Sequence, residues 1–247
     1  NLPDSLVQAH PGKLTHFSIE QSDYIDAGCT CRSSVEATPF DTNFTNISVT
    51  SAALKDQEIT NRLITHEIIH SASEIYEYFI GDSPKVRLSL WYQDEFERAV
   101  GMSSKDFSDY VLLNIQNNYS SEFRFVKKSI GSIITFHLMK SKRYFDLLRV
   151  SRLMYGAGEL ATPDPSKKEY PTEMISVLAE FYIHGEDNFM RSTQGILTQE
   201  QSKKTYDLLK TYFFKGREYQ PDGSIANDSI NLSRNSVKFS DTTKGRQ

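Results

Sequence analysis

The sequence predicts a mainly α domain with a small β region near its N-terminus. Three observations carry this. Up to about residue 50 the only ordered patterns are short alternating runs, from residue 56 the apolar spacing becomes helical, and it stays so through most of the chain to residue 215. At 247 residues, with 38% hydrophobic and 24% charged side chains, the chain can bury one substantial core.

In order along the chain, Pro3, Pro11 and Pro39 mark an irregular start. Within it His16-Phe17-Ser18-Ile19-Glu20 alternates as a short strand, and Phe44 to Thr50 is a better one, with Ile47 and Val49 on one face. Cys29 and Cys31 read as a free-thiol pair in a loop. Asp56 is placed to cap a helix whose apolar residues Ile59, Leu63, Ile64, Ile68, Ile75 and Phe79 recur at helical spacing, with a stop at Gly81 and Pro84. Further helices are predicted over 88–100, 104–117, 121–139 and 141–154. Another runs from Pro171 or Thr172 to His184, and a last one covers 199–215. The predicted division is a domain over 1–220 and a polar tail over 221–247, which is rich in Gly, Ser, Asn, Asp and Thr.

A formal charge of −4 without a long basic run argues against a nucleic-acid partner. The greasiest stretch, Ser129 to Met139, is too short to span a bilayer. With no signal-peptide pattern and no initiating Met, the chain reads as a mature or trimmed form.

The chemistry is concentrated in His66-Glu67-Ile68-Ile69-His70. Side chains four residues apart stack on one helical face, so His66 and His70 can direct two imidazole nitrogens at one Zn2+ ion. Glu67, beside that face, is placed to take a proton from a water activated by the ion. A catalytic zinc usually has three protein ligands, so a third must come from elsewhere. Glu173, Ser176 and Glu180 share one face of an otherwise apolar helix (Met174, Ile175, Val177, Leu178, Phe181), where carboxylates need partners. Glu173 is the preferred third ligand and Glu180 the group that holds a ligand histidine. For the donor that would steady a tetrahedral oxyanion, Tyr170 is chosen over Tyr155 and His184. His184 reads equally as a helix-terminal residue meeting the dipole.

These residues resemble the zincin superfamily of metallopeptidases. In the metzincin branch a Gly and a third His follow the motif, but Ser73 and Tyr76 stand there, so that branch is set aside. A thermolysin-like arrangement would use Glu95. The segment Thr172 to Phe181 is similar to the third-ligand helix of thimet-type oligopeptidases, and Tyr170 and Thr172 before it resemble the lethal-factor toxin family. The resemblance implies a zincin-like domain with a helical insertion between the motif helix and the third-ligand helix. It also implies an edge strand at Phe44 to Thr50 that binds extended substrate by strand addition. The implied activity is that of a zinc endopeptidase acting on a protein or peptide, with Glu67 as general base. The toxin side of the resemblance implies an effector or toxin protease, secreted or translocated into a host cell and aimed at a host protein; the other localisation reading is cytoplasmic. The other functional reading is a zincin-shaped binding protein without turnover.

Overall fold

The computed structural model describes residues 2, 14–23, 27–32, 44–77, 85–88, 90–128, 145–158 and 172–226. These form a mainly α structure with a small β region. Three strands, β1 (Leu14–Glu20), β2 (Ala27–Arg32) and β3 (Phe44–Thr50), make a sheet of order β1-β3-β2. β1 runs parallel to β3 and β2 antiparallel to it. The strand expected at the edge, Phe44 to Thr50, is therefore the central one. The difference arises from β2, whose Ala-Gly-Cys-Thr-Cys-Arg run is weak in β-formers and gives little local sign of a strand. The cysteines accordingly lie in a strand, Cys29 opposite Ile47 and Cys31 opposite Thr45.

Helix α1 (Gln57–Ser73) packs across β2 and β3. Asp56 caps it as expected: its Oδ1 accepts from the backbone N–H of Glu58 at 3.1 Å and of Ile59 at 3.3 Å. Ile47, Val49, Ile59, Leu63 and Ile69 are buried in the shared core. The helix ends at Ser73, earlier than its apolar spacing predicted. Glu74–Glu77 (β4) instead pairs antiparallel with Lys85–Leu88 (β5), setting Glu77 opposite Lys85 and Ile75 opposite Arg87. The β-branched and aromatic pair Ile75-Tyr76 suits a strand once a partner is present. Phe79, Gly81 and Pro84 lie outside the described residues.

Helices α2 (Leu90–Val100), α3 (Ser104–Asn118), α4 (Ser120–Lys128) and α5 (Phe145–Gly156) follow. They match the predicted helices except that Leu88 belongs to β5, and that residues 129–144 lie outside the described residues. Helix α6 (Thr172–Tyr182) is buried on nearly every side: Met174, Ile175, Val177, Leu178, Ala179 and Phe181 are each at most 1% exposed. It packs on α1 and α5. Gly156 allows the close approach to α5, because a Cβ there would lie 3.1 Å from the Met174 Cα, a backbone atom with no freedom to yield. Gly156→Val is expected to lower the unfolding free energy by about 2 kcal/mol through overpacking, read from urea denaturation.

Two elements complete the described chain: α7 (Glu186–Thr193), which was not predicted, and α8 (Gln199–Leu208), which runs into a π-helical turn, Leu209–Phe213. α8 starts at a Thr198/Gln201 capping box. An aromatic cluster forms here: Tyr182 stacks on Phe214 at 4.3 Å and meets Tyr206 at 4.6 Å, tying the C-terminal helix to α6. Gly185 joins α6 to α7 at φ +87°, where any Cβ would strike the Tyr219 carbonyl oxygen at 2.8 Å. Residues 217–226 form a turn against that junction, with Ala226 N–H donating to the Glu218 carbonyl at 2.8 Å. The remainder of the predicted tail, from 227, lies outside the described residues. No helix among the described residues is long and apolar enough to cross a membrane.

Candidate metal centre

α1 and α6 lie side by side in opposite directions, so that residues far apart in sequence meet in buried surroundings. His66 and His70 are buried on α1 at 3% and 7% exposure, and Glu173 projects from the first turn of α6. The His66 Nε2 is 2.9 Å from the His70 Nε2 and 3.2 Å from the Glu173 Oε2, which is 3.5 Å from the His70 Nε2. Zinc–ligand bonds of about 2.0–2.1 Å at tetrahedral angles place neighbouring donor atoms about 3.3 Å apart. The three measured separations bracket that value.

The remaining ring nitrogen of His66 is fixed by Glu180. Its Nδ1 lies 2.8 Å from the Glu180 Oε1, in a pair that is almost fully buried. Burial alone would raise the Glu180 pKa, but the Arg152 charge and the His66 bond outweigh it and bring the carboxyl from 4.5 down to about 2. An ionised carboxylate only accepts, so Nδ1 carries the hydrogen and Nε2 is the nitrogen turned to His70 and Glu173; burial would lower the His66 pKa, but the bonds to Glu173 and Glu180 raise it. Glu173 is likewise held well below the usual carboxylate range: burial opposes this, and the charge of His70 and the contacts with His66 and His70 overcome it. Its Oε2 is buried without a hydrogen bond of regular geometry. Converging acceptor atoms of this kind repel one another unless a proton or a cation lies between them, and two imidazoles with a carboxylate form a donor set suited to zinc. Among the described residues His66, His70 and Glu173 form a group able to hold a metal ion.

Arg152, on α5, closes the second layer. Its Nε donates to the Glu180 Oε2 at 3.0 Å and one terminal nitrogen donates to Oε1, a two-pronged grip on a carboxylate only 1% exposed. The sequence reading did not single out Arg152. Its only trace there is a pair of arginines, Arg149 and Arg152, set three apart in a helix whose other residues are mostly apolar. Because the folded pKa of Glu180 lies below its ordinary value, the stabilisation it brings is complete above pH 4.5 and is lost as pH falls toward 2. The metal-free protein is expected to lose about 3 kcal/mol of unfolding free energy across that interval through this group. Acid titration of wild type beside Glu180→Gln checks it, the variant showing the shallower decline.

Glu67 is buried at 8% exposure next to His66 on α1. Tyr155, at the end of α5, sets its ring 5.9 Å from that of His66, with the Arg152 guanidinium 4.9 Å from the Tyr155 ring centroid. Burial first, then the charge of Glu173 and those of Glu67 and Glu180, push its phenol above the usual range despite Arg152. Its hydroxyl therefore stays protonated beside the carboxylates of the site. Tyr170 lies outside the described residues. Glu95 takes no part in the metal-holding group: it accepts from the Tyr212 hydroxyl at 3.2 Å and pairs with Arg98. His184 sits at the far end of α6 and is neutral, since burial and the Arg62 charge push its pKa down to about 4, so it brings no positive charge to the helix dipole.

No family model matches the chain, and no curated protein or solved structure matches it either.

Proposed function

We propose that the protein is a zinc-dependent endopeptidase of zincin-like design, with α1 as the motif helix, α6 as the third-ligand helix and α2–α5 as an inserted helical layer. The observation that carries this reading is the convergence of His66 Nε2, His70 Nε2 and Glu173 Oε2 at separations of 2.9, 3.2 and 3.5 Å. Those three residues would hold the ion, which when bound supplies Lewis acidity and an acidified water for attack on a peptide carbonyl. Glu67 accepts the proton released in the attack and returns it to the leaving amine. Tyr155 donates its hydroxyl hydrogen to the carbonyl oxygen as negative charge develops there, the role expected of Tyr170 from sequence. Glu180 keeps His66 in the tautomer that offers Nε2, and Arg152 keeps Glu180 ionised. An extended substrate would add to the sheet at β1 or β2, since β3 is paired on both sides. The substrate class is protein or peptide, and a host protein cut by a translocated effector remains the biological setting we favour.

The test is metal content followed by proteolysis. The purified full chain, equilibrated with zinc, should retain close to one equivalent, and less than about half an equivalent sinks the reading. Glu180→Ala is expected to weaken zinc affinity by about 10–100-fold, and Glu173→Ala by at least as much, whereas Glu95→Ala should leave it unchanged. Equilibrium competition with a chromogenic chelator measures all three. Incubation with a cell extract should then generate new peptide N-termini detectable by mass spectrometry.

A further inference from the structure

A second site lies at the other end of the α1–α6 pair. A cavity of about 600 Å³ opens where the start of α1 faces the end of α6, closed by α5 and α7 and by Pro221. It shares no lining residue with the metal-holding group, and its volume is in the range of small-molecule sites.

Arg149 Nε, His184 Nε2 and Asn188 Nδ2, all on lining side chains, are buried without a hydrogen-bond partner; the first is ion-paired with Asp146 at 2.8 Å, which leaves the other two unsatisfied. Their chemistry follows from their other ends. His184 is only 4% exposed, and its Nδ1 donates to the Pro221 carbonyl at 3.0 Å. A carbonyl only accepts, and the ring is neutral, so Nε2 is an acceptor. Asn188 accepts from Arg191 through Oδ1 at 3.3 Å, which identifies its buried Nδ2 as the amide donor. Arg62, Arg149 and Arg191 line the same cavity against two carboxylates, Asp56 and Glu58. One of these already caps α1 and the other pairs with Arg62 at 3.0 Å. The wall thus offers one unsatisfied acceptor, one unsatisfied donor and the Arg191 guanidinium, since Arg62 and Arg149 are paired with Glu58 and Asp146. Buried polar atoms left this way cost free energy that a complementary ligand would recover.

We propose that this cavity binds a small carboxylate ligand that also carries an amide N–H. Its N–H would donate to His184 Nε2, and its oxygens would accept from Asn188 Nδ2 and face Arg191. This is the chemistry of an N-acylated amino acid and equally of the last residue of a peptide. Ammonium-bearing free amino acids fit poorly, because they would bring a positive charge among the arginines.

N-acetylalanine is the probe, titrated into the full chain by calorimetry, with and without zinc. Binding near one equivalent in the millimolar range or tighter is expected, unchanged by zinc and weakened about tenfold or more by Arg191→Glu, an exposed position that leaves the core intact. Asn188→Ala should weaken it similarly, and the His184 Nε2 nitrogen resonance should shift on ligand addition while Nδ1 stays in place. A tripeptide ending in alanine that binds more tightly than N-acetylalanine identifies peptide termini as the source, and equal binding identifies small acylated amino acids. No binding at about 10 mM, equal binding of the methyl ester, or binding insensitive to both variants overturns the proposal. Because zinc retention and Glu67 play no part in these readouts, failure here leaves the peptidase reading standing, and the reverse also holds.

Discussion

Glu67→Gln is expected to lower proteolytic turnover by about 10²–10⁴-fold while the zinc content stays at the wild-type level. The substitution keeps the shape of a side chain that is 8% exposed and removes only its ability to take a proton. His66, His70 and Glu173 are untouched, so metal retention and proteolysis should separate. The measurement is a comparison of new peptide termini and of cleavage rate on whichever peptide the wild type cuts fastest. If the variant turns over at the wild-type rate, Glu67 is not the base. If neither form cuts anything while both hold zinc, the site serves binding alone. Tyr155→Phe provides the matching test of the oxyanion donor, with a fall in kcat and little change in zinc affinity.

Arg152→Met is expected to cost about 3–5 kcal/mol of stability in the metal-free protein, the largest loss from any single charge change at this site. Glu180 is 1% exposed and is held ionised chiefly by Arg152. Removing the guanidinium leaves a buried carboxylate held by His66 without its counter-charge. The cost should fall sharply when Glu180→Gln is combined with Arg152→Met, since a neutral amide still accepts from His66 Nδ1 and no longer needs a counter-charge. Urea unfolding of the two single variants and the double variant measures the coupling. A single-variant loss under about 1 kcal/mol would mean that the Arg152–Glu180 pair is not what holds the second layer together.

Local periodicity was enough to foresee α1, its Asp56 cap, the greasy α6 and the helical middle, because those features depend on neighbours three or four residues away. The grouping of His66, His70 and Glu173 could be anticipated for a related reason. A motif at i, i+4 and two carboxylates on one face of an apolar helix each call for partners that the other supplies. What failed depended on tertiary pairing. Ile75 and Tyr76 fit either a helix or a strand, and only the pairing with Lys85–Leu88 decides between them. The central place of β3 depends on β2, whose glycine and cysteines give little local signal. Arg152 was invisible because an arginine in a helix usually faces water, and nothing local marks the one whose guanidinium turns inward to Glu180.

The bond between His66 and Glu180 joins residues 114 apart in the chain, and α5, which supplies Arg152, is inserted between them. Contacts of such separation form late, because the chain must first lose the entropy of closing a long loop. Isolated α1 would offer an ion two imidazoles on a frayed helix and nothing to fix their tautomers. If the protein is the zinc enzyme proposed, tight metal uptake would belong to the end of folding. A chain still incompletely folded would then release the ion readily and stay silent as a catalyst, and stoichiometric metal would double as a count of correctly folded molecules.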